Sequence, residues 1–242
     1  RKEIAMALLK RMPPIVVDKA KLRKFGGVWK KNGGSLSRTS PCSSSELGQL
    51  FDQAVGKSLA EMLGGIPIVA PSSSSLSAPK DDCVERGHVR VIGGVRPQNF
   101  DVGYRPDGLR FAYDSKTLND EKSVRKNWQN MINDLATEAT TVHSRFPHAV
   151  VAFCVMIPEP CIAEAQRKAM VETLERLARR VNVRNDAHMA EAIALVLWNP
   201  ADGTIDQKIP HSTSPLRLEK FSEQVEVVYL ARYKGLPPHA AE

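Results

Sequence analysis

Residues Ala149–Ile157 are nine apolar side chains in succession, and no other feature limits the fold of this chain so strongly. A strand with one wet face alternates apolar and polar residues, so an unbroken run predicts a strand covered on both faces. Ala192–Trp198 has the same character. An amphipathic helix is expected between them over Ala163–Val181, with Met170, Leu174 and Leu177 on one side, and another before them over Asp120–Arg145. Upstream, Val84–Ile92, Asn99–Arg105 and Leu109–Leu118 read as strands, the last two joined by the turn Pro106-Asp107-Gly108. Helix, strands, helix, strand, helix, strand is the order of an α/β fold with a mixed central sheet flanked by helices.

The remaining stretches are less regular. Ser43–Leu63 predicts a helix, with an N-cap among Ser43, Ser44 and Ser45 and Leu47, Leu50, Phe51, Val55, Leu59 and Met62 at helical spacing. Gly64-Gly65 ends it, 66–70 reads as a short extended piece, and Pro71–Pro79 as a surface loop. Residues 1–12 permit a helix that stops at Pro13-Pro14, and 19–45, rich in Gly, Ser and Lys, reads as loop. Val225–Tyr233 fits a last strand or helix, and no internal repeat occurs.

Charge divides the chain. Residues 1–40 carry eleven basic side chains against Glu3 and Asp18, a net +9 that leaves the other 202 residues at −2. Residues 1–42 therefore read as a basic N-terminal arm on a single domain over 43–242, and such an arm points to a polyanion, most often nucleic acid. A hydrophobic content of 42% excludes a disordered tail protein. No run of ~18 apolar residues occurs, so no transmembrane helix is expected.

Cys42, Cys83, Cys154 and Cys161 form no Cys-x-x-Cys pair, which suits a reducing cytoplasm, with Cys154 a buried thiol. The chain opens on Arg1 rather than Met, and its first residues lack the apolar core of a signal peptide. His88, His143, His148, His188, His211 and His239 are scattered, with neither metal spacing nor a Ser/His/Asp order. No Gly-x-x-x-x-Gly-Lys-Ser/Thr loop is present, so ATP-driven translocation is not expected.

The chemistry concentrates in the hairpin. Alternation puts Asp114 and Lys116 on one face of their strand and Phe111, Tyr113 and Ser115 on the other. Closing the hairpin about Asp107-Gly108 sets Asp101 opposite Asp114, and directly opposed residues have Cβ atoms roughly 4.5–5.5 Å apart. Two carboxylates at that separation repel unless a cation or a shared proton neutralises them. Mg²⁺, which takes a few carboxylate oxygens and several waters, suits such a pair. Lys116 beside it supplies positive charge to orient a water or stabilise a developing anion.

Asp101 followed by Asp114-x-Lys116 on adjacent strands resembles the signature of the PD-(D/E)xK nucleases, the superfamily of many type II restriction endonucleases. The resemblance covers roughly residues 43–157, and the element order agrees with a restriction-endonuclease-like fold. It implies that Asp101 and Asp114 bind Mg²⁺, with Mn²⁺ a possible substitute, that the Ser115 carbonyl is a further ligand, and that Lys116 positions the attacking water. The family's proline before the first acid is Phe100 here, and Asp114 stands where Glu is commoner. The literal Pro106-Asp107 match is set aside because it lies in the turn. Such nucleases often add an acid from the leading helix. Gly48-x-x-Phe51-Asp52 resembles that pattern with Asp for Glu, and Glu46 is a second candidate that equally fits a helix cap.

The implied activity is Mg²⁺-dependent hydrolysis of double-stranded DNA by a cytoplasmic, homodimeric restriction-type endonuclease, leaving a 3′-hydroxyl and a 5′-phosphate. The basic arm and Arg86, Arg90 and Arg96 would hold the duplex, whereas Lys122, Arg125 and Lys126 also fit a solvated helix face. Two rival readings are a structure-specific repair or recombination nuclease of the same superfamily and a non-catalytic DNA-binding module.

Overall fold

All nine residues of β5 (Val150–Pro158) and all seven of β6 (Ala192–Trp198) are buried, as two-sided cover requires. The computed structural model describes residues 8–37, 41–72 and 75–240. Six strands form one mixed sheet in sequential order: β1 (Ile68–Val69), β2 (Val84–Ile92), β3 (Pro97–Tyr104), β4 (Phe111–Thr117), β5 and β6. The central β2–β3–β4 meander is antiparallel, while β1 pairs parallel to β2 and β4, β5 and β6 run parallel. The expected α/β class and mixed sheet are thus present.

Among the described residues there are five α-helices, four of which pack on the sheet. α1 is Lys19–Lys31, α2 Ser44–Met62, α3 Val124–His143, α4 Glu164–Leu177 and α5 Leu218–Tyr233. α2 packs on β2, β3 and β4, and α5 on β5 and β6, whereas α3 meets β5 and α4, which in turn meets β6. Tyr113 stacks edge-on against Phe221 of α5, so the Tyr113 and Ser115 face of β4 lies under α2 and α5. Asp114 and Lys116 point to the α3 side, where Lys116 meets Glu138. No helix among the described residues is long and apolar enough to cross a membrane.

Two local expectations are corrected, and one open alternative is decided. Residues 19–31, read as loop, form α1, capped by Asp18, whose side chain accepts from the Ala20 N–H at 2.8 Å. Leu22, Phe25 and Trp29 recur at helical spacing and join the same hydrophobic core as the strands, together with Met12, Ile15 and Leu36. Residues 8–12 are not helical (1–7 lie outside the described residues). Their amides bond elsewhere, Lys10 N–H to the Met62 carbonyl and Met12 N–H to Glu226, both at 2.8 Å. Val225–Tyr233 belongs to a helix, α5, that begins at Leu218.

The hairpin register is the expected one. Val102 pairs with Tyr113, Gly103 with Ala112 and Tyr104 with Phe111, and the same register carried one step further sets Asp101 opposite Asp114. The β3–β4 ladder stops at Val102. Beyond it the Ser115 N–H turns to the Asp101 side chain, at 2.9 Å.

Candidate active site

Where β3 leaves β4, a cavity of about 420 Å³ opens between the start of α2 and the two strands. Its walls include Gly48 and Asp52 from α2, His88 from β2, Asp101 from β3, and Asp114, Ser115 and Thr117 from β4. Gly48 sits where a Cβ would come within 2.8 Å of Ser115 Oγ, so its lack of a side chain lets α2 approach the strand. That approach places Asp52, one turn further along the helix, beside Asp101 and Ser115.

Asp101 is half-buried, and its Oδ2 accepts from both the N–H and the hydroxyl of Ser115 at 2.9 Å. Asp114 is buried and is gripped by Lys116 Nζ, which also reaches Glu138 Oε1 at 2.7 Å. Gln98 Nε2 donates to the same Glu138 oxygen at 3.1 Å. Asp52 is buried too, and its Oδ1 has no hydrogen-bond partner.

The electrostatics follow from that crowding. Burial, then the Asp101 charge, pushes the Asp52 carboxyl up to about 8 against the relief from Ser115 and Arg86. Burial likewise raises Asp114 well above the ordinary carboxylate range. Lys116 opposes the rise, while the charges of Asp101 and Glu138 and a hydrogen bond shared with Asp101 add to it. Both carboxyls line the same cavity, close enough for the Asp101 charge to act on Asp114. Burial alone would lower Lys116, but Asp114 and Glu138 outweigh it and hold the ammonium above its usual range. Lys116 is therefore a fixed cation and donor, not a proton acceptor.

Of the residues singled out in the sequence, Asp52, Asp101, Asp114 and Ser115 share one cavity, and Lys116 reaches it from behind through Asp114. Glu46 does not line it. Its carboxylate accepts from the Ser43 N–H at 3.0 Å while Ser43 Oγ accepts from the Glu46 N–H at 3.2 Å, a reciprocal capping box that starts α2. Asp107 lies exposed in the turn and pairs with Arg110. Lys122, Arg125 and Lys126 are exposed, as are Arg86, Arg90 and Arg96.

Two residues near the site went unnoticed in the sequence. Glu138 lies on the buried face of α3 with Leu135 and Val142, and an acid in an apolar stripe was the available signal. His88 carried no such signal.

Among the described residues, no three His, Cys, Asp or Glu side chains form a cluster able to hold a metal ion. Mg²⁺ is nonetheless bound by one or two carboxylates with waters and substrate phosphate completing the shell. Asp101 and Asp114, crowded and short of counter-charge, fit that mode, and the orphaned oxygen of Asp52 lies in the same cavity. The chain matches no protein-family model, no curated protein and no solved structure.

Proposed function

We propose that this protein is a Mg²⁺-dependent endonuclease of double-stranded DNA, of restriction-enzyme type on a restriction-endonuclease-like fold. The observation that carries the reading is the convergence of Asp101 and Asp114 across the β3–β4 hairpin with Lys116 bonded to Asp114. The antiparallel meander, the helix after Lys116 and the parallel β5 support it through their order.

In this reading Asp101, Asp114 and the Ser115 carbonyl hold the cation, with Mn²⁺ able to replace Mg²⁺. When bound, the ion supplies a Lewis acid for a phosphate oxygen and acidifies a water. Asp114 and Glu138 fix the Lys116 ammonium, which orients the attacking water and balances negative charge that develops on the phosphate. Ser115 holds Asp101 through two hydrogen bonds and so fixes the angle of its free oxygen. Asp52 stands as the helix acid of the site, whereas Glu46 serves α2 as a cap.

Basic side chains would meet the DNA phosphates. Lys10, Arg11, Lys19, Lys21, Arg23, Lys24, Lys30 and Lys31 are all exposed, while Arg1, Lys2 and Arg38 lie outside the described residues. Binding through such contacts weakens steeply with salt. A homodimer matching a palindromic site completes the proposal.

Plasmid digestion tests it. The wild-type chain with Mg²⁺ should yield discrete fragments from long duplex DNA, and Asp114→Ala and Lys116→Ala should not. Variants that cut as fast as wild type would refute the site. Cleavage confined to junctions, flaps or ends would transfer the protein to the repair class, and DNA binding without cleavage in Mg²⁺ or Mn²⁺ would make it a binding module.

A further inference from the structure

The pairing of β2 with β3 contains one irregularity, and it lies at the site. Arg86 pairs with Val102 and Val89 with Phe100, so Gly87 and His88 together face the single residue Asp101. Two residues against one is a β-bulge, a device that re-aims side chains and recurs beside active sites. Gly87 makes it possible, with φ at +135°, a backbone conformation that side-chain-bearing residues rarely adopt. A Cβ there would also press on Pro71 at 3.2 Å. The extra residue resets the in-out alternation of β2 and puts His88 on the cavity wall with Asp52, Asp101 and Asp114.

The imidazole of His88 is exposed and makes no hydrogen bond or ion pair among the described residues. Its ring nitrogens are therefore not committed to another described residue. The cavity walls carry three carboxyls, and among the described residues that line them only His88 and Gln49 bear a side-chain nitrogen donor. A phosphodiester is an anion and needs a donor in so acidic a place. An imidazole carries at least one N–H in either protonation state.

We propose that His88 is a catalytic residue of this site, its ring N–H donating to a non-bridging oxygen of the scissile phosphate and stabilising the charge that builds there during attack. The proposal rests on the nuclease reading above. Opposite Asp101, the bulge would hold His88 against the same phosphate that the cation polarises.

Single-turnover cleavage of a labelled duplex in Mg²⁺, duplex affinity in metal-free buffer and the thermal midpoint, measured on full-length variants, test it together. His88→Ala should slow cleavage roughly 10²-fold, the order seen when one preorganised donor is removed from a reacting oxygen. Duplex affinity should stay within about twofold and the thermal midpoint should not move. His88→Gln, which retains an N–H donor, should recover much of the loss. Wild-type-like cleavage by His88→Ala, with Asp114→Ala inactive, would overturn the role of His88 and leave the nuclease reading standing. A lowered thermal midpoint that His88→Gln fails to restore would overturn it in favour of a structural role. If the wild type itself never cuts, the nuclease reading and the role of His88 fall together.

Discussion

Two clusters of buried charge lie at opposite ends of the parallel half of the sheet, and they are built on opposite principles. At the entry to β5 and β6, Glu191 is fully compensated. Arg180 reaches its Oε1 at 2.6 Å, Arg232 at 2.8 Å, the Val151 N–H donates to Oε2 at 2.8 Å, and His143 Nε2 lies 3.2 Å away. Those partners outweigh the desolvation that would raise its pKa, so the Glu191 carboxyl sits below the ordinary range. At the far end of β4 the balance is reversed. Asp114 and Glu138 divide one ammonium, Lys116, while Arg86 only partly relieves Asp52, and Asp52 and Asp114 are pushed upward. A compensated buried charge fixes a structure. An uncompensated group of acids is tolerated at a cost in stability, and such strongly perturbed groups in a cleft point to function.

That contrast predicts opposite phenotypes. Asp114→Ala or Lys116→Ala should abolish plasmid cleavage, by a factor of roughly 10² or more, while Asp114→Ala leaves the melting temperature of the metal-free protein unchanged or raised. Glu191→Ala should do the reverse. Stranding Arg180 and Arg232 should cost about 3–5 kcal/mol in denaturant unfolding, with cleavage per folded molecule preserved. If Glu191→Ala abolished cleavage without lowering stability, the division between the clusters would be wrong.

Asp52 gives a smaller, pH-dependent effect. Its carboxyl titrates near 3.8 when unperturbed and near 8 in the fold, so between those values the folded chain holds a proton that the unfolded chain releases. The contribution of Asp52 to stability is therefore fully present below about pH 4 and is lost as pH rises through 8. In EDTA, Asp52→Asn should melt higher than wild type at pH 8 to 9, with the advantage shrinking towards pH 4. A constant difference across that range would contradict the assignment. Smallest is Glu46→Ala, which removes one arm of the α2 capping box. It should cost about 0.5–2 kcal/mol of stability and leave cleavage untouched.

The parts of the fold that could be read from the sequence are those fixed by local chemistry. The apolar runs of β5 and β6 matched their strands to within a residue, and Pro106-Asp107-Gly108 located the turn that sets Asp101 against Asp114. Ser43 and Glu46 marked the start of α2. Helix α1 was hidden because Gly26 and Gly27 suggested loop. Gly26 is there because a Cβ would meet the Pro200 carbonyl at 2.0 Å, a tertiary requirement with no local signature. α5 was ambiguous because Val225, Val228 and Tyr229 favour strands by type, and only its packing on β5 and β6 decides for helix. In the site, Asp101 and Asp114 followed from register alone. Asp52 emerged only as one of two helix acids, and the capping box decides what Glu46 does. His88 was illegible because a bulge shifts the alternation on which strand reading depends.

In the proposed nuclease reading, the acid excess around Asp101 and Asp114 is a cation site. Calorimetric titration of Mg²⁺ into the metal-free protein, run at one pH in two buffers of different ionisation enthalpy, addresses it most directly. Saturable binding that releases protons is expected, because carboxyls whose burial favours the protonated form must ionise to bind. Asp101→Asn and Asp114→Asn should abolish that binding. Absence of saturable binding by the wild type, or an unchanged isotherm in Asp114→Asn, would contradict it.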